Sequence, residues 1–96
     1  MPPAMRPKVR GDLAAVELDG EAVVFDESDG SLHHLNPTAT IVFSFCDGGS
    51  TVKEMSSEIA QAFETDAAQV EREVRKLLRS FRESGLLDGN GGSGRG

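Results

Sequence analysis

The stretch "SLHHLNPTATIVFSFCDGG", residues 31–49, decides the fold, because in it an extended run gives way abruptly to a helix. Ser31 to Leu35 reads as a strand. Asn36 is a good N-cap, since its side-chain oxygen accepts a backbone N–H of the first helical turn. Pro37 suits the next position, where no N–H is needed. The helix over 37–46 is rich in β-branched and aromatic residues and poor in intrinsic propensity, so packing on most sides must stabilise it. "DGGS" ends it.

Toward the N-terminus, "LAAVEL", Asp19-Gly20 and "EAVVF" have the form of a hairpin. Asp-Gly supplies the positive φ angles that a two-residue type I′ turn requires. "DESDG" is a longer turn into the strand at 31–35, which completes a three-stranded antiparallel meander. Residues 1–11 hold three Pro, three bases and a Gly, which predicts a loose lead-in with order beginning near Asp12.

Toward the C-terminus, Thr51-x-x-Glu54 is a capping box, and a second helix starts at Val52 with the apolar stripe Val52, Met55, Ile59 and Phe63. Thr65 or Asp66 caps a third helix that runs to about Ser84 and stops at Gly85, with Leu86-Leu87 folding back. Its apolar stripe is Val70, Val74, Leu77, Leu78 and Phe81. At about 100° per residue, Arg72, Arg75, Arg79 and Arg82 form a separate basic stripe beside it, with Glu71 and Leu78 between the two. Residues 89–96 are Gly-rich and read as a disordered tail. The expected fold is one α+β domain over 12–88, winged helix-turn-helix-like, with a three-stranded antiparallel sheet followed by three α-helices.

Composition narrows the function. The chain has 96 residues, 38% of them apolar, which suits one core, and without Trp or Tyr that core is aliphatic with five Phe. The net charge of −6 argues against general nucleic-acid affinity, which depends on a positive surface. Residues 11–30 carry seven acids and no base, whereas residues 66–88 carry five of each. Cys46 is the only cysteine, so no internal disulfide forms, and the N-terminus has no apolar stretch of the signal-peptide kind; a cytoplasmic protein is expected. No run reaches the ~20 apolar residues of a membrane span.

No catalytic constellation emerges, so no enzyme and no cofactor are expected. His33 and His34 are neighbours that point to opposite faces of a strand, and the chain has no other His and no second Cys to complete a metal shell. Cys46 has no base placed near it by any motif and reads as a small buried hydrophobe. Asp26, Glu27 and Asp29 lack the EF-hand spacing. A winged-helix DNA-binding regulator fits the architecture, with the arginine stripe as its contact surface, but the charge opposes it. A structural partner domain of an enzyme is a third reading.

Over residues 32–63 the chain resembles the PqqD family of small peptide chaperones, also called precursor-peptide recognition elements. The "LN-x-TA" junction is Leu35, Asn36, Pro37, Thr38 and Ala39; the "DG" is Asp47 and Gly48; the "T-x-x-E" is Thr51 and Glu54; the closing "GLL" is Gly85, Leu86 and Leu87. The order and spacing of these pieces extend the resemblance over about residues 12–88. Phe43 stands for the usual Trp of the first helix. The resemblance implies a non-catalytic protein that holds the leader segment of a ribosomally made peptide for a maturation enzyme, often a radical SAM protein. Strand addition at Ser31–Leu35 beside the third helix is the expected mode, since an edge strand offers unpaired N–H and C=O groups to an extended guest. Leu32, His33 and His34 are the expected strand contacts, and Glu71, Val74, Arg75 and Leu78 the expected helix contacts, with Arg75 meeting an acid of the guest. The same open edge also suits self-association with a second copy.

Overall fold

The computed structural model describes residues 5–88; the first four residues and the Gly-rich segment 89–96 lie outside the described residues. Strands β1 (Leu13–Leu18), β2 (Glu21–Asp26) and β3 (Ser31–Leu35) precede helices α1 (Pro37–Phe45), α2 (Val52–Phe63) and α3 (Ala67–Glu83). The sheet order is β1-β2-β3 and both pairings are antiparallel, which gives the α+β arrangement expected. Asp19 and Gly20 adopt φ angles of 55° and 80°, as the predicted two-residue turn demands.

Register assigns the two faces of the sheet. Ala22 lies opposite Leu35 and Val24 opposite His33, whereas Val23 faces His34 and Phe25 faces Leu32. Ala22, Val24 and Leu35 are buried, so their face, which alternation gives to His33 as well, looks toward the helices. The other face is left open, with Val16, Leu18 and Leu32 exposed. Beneath the helix-side face, Val24, Val42, Met55, Val74 and Leu86 are almost fully buried. Each such side chain contributes roughly 1.5–3 kcal/mol relative to an exposed position. Phe43 meets Phe81 edge-on, with ring centroids 5.8 Å apart, and so ties α1 to α3.

Helix starts follow the sequence. Thr51 Oγ1 accepts from Glu54 N at 3.0 Å while Glu54 Oε1 accepts from Thr51 N at 2.8 Å, completing the capping box. Of the two candidate caps for α3, Asp66 is used: its carboxylate accepts from Gln69 N at 3.0 Å. One stripe position departs from expectation. Phe63 is 59% exposed, because it is the last residue of α2, directly before Glu64 turns the chain with a φ of 52°.

Residues 7–10 differ from the loose lead-in that composition suggested. Val9 N donates to Cys46 O and Gly48 N to Pro7 O, while Arg10 N donates to Leu86 O and Asp88 N to Lys8 O. The segment is thus threaded between the α1–α2 turn and the chain after α3. Arg10 anchors it further, with Nη1 2.7 Å from Asp26 Oδ2 and Nη2 2.7 Å from Asp12 Oδ2. Asp26 is buried, and a buried carboxylate is tolerated when paired in this way. Apart from Asp12, two residues on, these partners are distant in sequence, so local composition carries no sign of them.

Candidate functional site

The strand-to-helix junction is held by two polar side chains, Asn36 and Thr40. Asn36 Oδ1 accepts from Ala39 N at 2.8 Å, capping α1. Thr40 is buried, and its hydroxyl works in both directions: Oγ1 accepts from Ala22 N at 3.0 Å and donates to Leu35 O at 3.2 Å. The Thr40 side chain therefore takes over where the β2–β3 ladder ends, and α1 is fixed at the last residue of β3. The "TAT" run by itself carries no sign of this side-chain substitute for a ladder bond.

Because β3 pairs only with β2, its outer edge is unpaired among the described residues. Alongside that edge runs a groove of ≈ 430 Å³. Its strand wall is Leu32, His33, His34 and Leu35; its helix wall is Leu77, Ser80, Phe81 and Ser84 of α3. Asn36, Ala39 and Leu86 complete the lining. Phe81, Leu35 and Leu86 are buried and supply an apolar floor, while Ser80 and Ser84 are exposed at the rim. An apolar floor with an open row of backbone donors and acceptors on one wall is suited to an extended chain, whose backbone completes the ladder while alternate side chains enter the floor.

The sequence-derived residues fall into two groups. Leu32, His33 and His34 line the groove. Glu71, Val74, Arg75 and Leu78 do not. Val74 and Leu78 are turned into the core, at 1% and 7% exposure. Arg75 is exposed and gives Nη2 and Nε to Glu71 Oε2 at 2.7 and 3.2 Å. Steps of about 100° per residue place Arg72, Arg75, Arg79 and Arg82 on the flank of α3 away from Leu77, Ser80 and Ser84. The basic stripe therefore faces solvent and not the groove. Sequence periodicity locates both flanks of α3 but does not say which of them β3 approaches, so the groove positions of Leu77 and Ser80 cannot be read from the stripe.

Of the groove-lining residues, His33 is tied into a polar cluster at the start of β3. Ser31 Oγ lies 2.6 Å from Asp29 Oδ1 and 3.0 Å from His33 Nε2. The hydroxyl has one proton, which the shorter contact to the carboxylate takes, so His33 is the donor in the second contact through Nε2–H. The hydrogen bond from Ser31 Oγ, with one from its backbone N–H, holds the Asp29 carboxyl below the usual range. His33 and His34 point to opposite faces of β3, and among the described residues no group of three or more His, Cys, Asp or Glu is assembled to hold a metal ion. Cys46 is buried outside the groove lining, and burial, with a smaller contribution from the Asp47 charge, pushes its thiol up to about 12. Among the described residues no helix is long and apolar enough to cross a membrane.

Three solved structures share this fold. TbiB1 in complex with the TbiA(beta) leader peptide superposes with a TM-score of 0.76 at 24% identity, covering 85% of this chain and 95% of its own. A lasso peptide synthetase B1 complexed with its leader peptide gives a TM-score of 0.76 at 20% identity, over 86% of this chain and 98% of its own. The solution structure of the PqqD part of Methylobacterium extorquens PqqCD, a functional and stand-alone RiPP recognition element, gives 0.72 at 18% identity, over 85% and 87%. No curated protein matches the sequence. The family model for coenzyme PQQ synthesis protein D matches residues 21–87, a span that contains both walls of the groove. With most of its length inside that match, the chain belongs to the PqqD family.

Proposed function

We propose that this protein is a non-catalytic peptide chaperone that binds the leader segment of a ribosomally made precursor peptide and presents it to a modifying enzyme, for which a radical SAM protein is the leading candidate. The observation that carries the reading is the unpaired edge of β3 beside the apolar-floored groove against α3. Two of the similar structures are leader-peptide complexes and the third is a recognition element, which supports it. The guest adds as a fourth strand along Leu32, His33 and His34. Its inward side chains lie on Phe81 and Leu77, with Ser80 and Ser84 at the rim. Glu71, Val74, Arg75 and Leu78 have no part in this contact.

Amide-shift titration of the full chain tests the reading. The ligands are synthetic peptides that cover the short reading frames adjacent to its gene. Binding shifts the amides of residues 31–35 and 77–84 and slows hydrogen exchange along β3. Shifts confined to α2, or to the arginine flank of α3, reject the groove.

A further inference from the structure

A second cavity, ≈ 240 Å³, lies farther along α3. Its floor is made by Val42, Ile59 and Val74, all buried, and its walls include Ile41, Val70 and the exposed Phe63. A cavity of about 150 Å³ takes a benzene ring, so this one has room for a Leu or Phe side chain. It lies on the same flank of α3 as the groove: about 100° per residue brings Val70 and Glu73 into line with Leu77, Ser80 and Ser84. Thr38 of its wall is next in sequence to Ala39 of the groove. The two spaces are successive compartments along one helix, and the second lies past the C-terminal end of β3.

Resting on the groove reading above, we infer that this cavity is an anchor site for the guest peptide outside its paired strand. It takes one large apolar side chain located three or four residues N-terminal of the segment that pairs with β3. Direction follows from pairing. A guest antiparallel to β3, the commoner arrangement, leaves its N-terminal residues beyond Leu35 and Asn36, toward α1. Spacing follows from geometry. Ser80 and Glu73 are seven positions apart on α3, ~10 Å of helix, which an extended chain spans in roughly three residues at ~3.3 Å each. Charge adds a second preference. Glu73 is the charged side chain lining the cavity among the described residues, and Glu64 and Asp66 flank its Thr65. A Lys or Arg beside the apolar anchor complements this rim.

The test is selection of a displayed library of random 16-residue peptides on the full chain and on three variants, with melting of each variant recorded. On the unaltered protein, selected peptides carry Leu, Ile, Phe or Met at the anchor spacing with Lys or Arg next to it. Replacing that residue by Ala in a selected peptide weakens binding about tenfold. Val70→Glu removes the apolar preference; its new acid sits near the N-terminus of α3, where negative charge is tolerated. Glu73→Lys turns the basic preference acidic, and as an exposed position it leaves the fold unchanged. Ser80→Trp, which fills the groove, abolishes selection. Peptides with no anchor residue, or with one indifferent to both cavity variants, overturn the inference while Ser80→Trp still upholds the groove. Peptides that bind Ser80→Trp normally reject the groove reading itself.

Discussion

The hydroxyl of Thr40 accepts a hydrogen bond from the backbone N–H of Ala22 at 3.0 Å, so a residue of α1 closes a position that a strand would otherwise occupy. Thr40→Val keeps the shape and leaves that buried N–H without its partner. An orphaned buried donor costs about 1–3 kcal/mol. The expected outcome is a lower melting temperature with an unchanged far-UV spectrum, accompanied by faster amide exchange at Ala22. An exchange rate at Ala22 equal to that of the unaltered protein contradicts this role.

The Arg10–Asp26 pair gives stability a defined acid limb. Hydrogen bonds from Arg10, and secondarily from Ser28, lower the Asp26 carboxyl from 3.8 to about 2. A carboxyl lowered on folding contributes stability that is present above its unfolded value and is lost as pH falls through its folded one. The contribution should therefore be intact above pH ~4 and fade between about pH 4 and 2. Urea midpoints of the unaltered protein and of Asp26→Asn, measured across that range, should converge toward the acid end. A constant gap between them removes the pair from the explanation.

Leu78→Asp separates core from groove. Leu78 is 7% exposed within the core cluster, so an unpaired carboxylate there is expected to unfold the domain, and not to block peptide binding in a folded one. Arg75→Glu, on the exposed flank, is expected to leave both the fold and peptide affinity within experimental error. Circular dichroism and titration with a groove-binding peptide check both. A folded Leu78→Asp protein, or a large affinity loss in Arg75→Glu, returns these residues to the site.

What was legible in the sequence was mostly local. The Asp19-Gly20 turn, the Asn36 cap, the Thr51–Glu54 box and the Gly85 stop each rest on chemistry within a few residues, and all are found in the structure. The order of the family pieces was legible too, since it needs only spacing. Packing of Pro7–Arg10 was not, because its partners Cys46, Leu86 and Asp26 belong to three separate regions of the chain. Nor was the helix wall of the groove. A helix stripe gives an angle about its own axis, and the orientation of that axis to β3 is set by tertiary contacts such as Phe43 on Phe81.

Cys46 should be inert in the folded state. Its thiol is buried, is pushed up to about 12 chiefly by burial, and lies 3.3 Å from Val42 O. The thiolate is the nucleophile, so an aromatic disulfide reagent at pH 8 should react with the denatured chain and leave the native protein untouched over minutes. Rapid native labelling shows that the α1–α2 turn opens readily.

The bonds of Lys8 to Asp88 and of Arg10 to Leu86 have a topological consequence. They seat the two flanks of the folded unit side by side, so any polypeptide joined before Pro7 or after Asp88 departs from a common doorway. A short loop joining the two flanks, with the chain reopened in the turn between β2 and β3, should yield a circular permutant with the same sheet and helices. For this fold, sequence order and spatial role are separable.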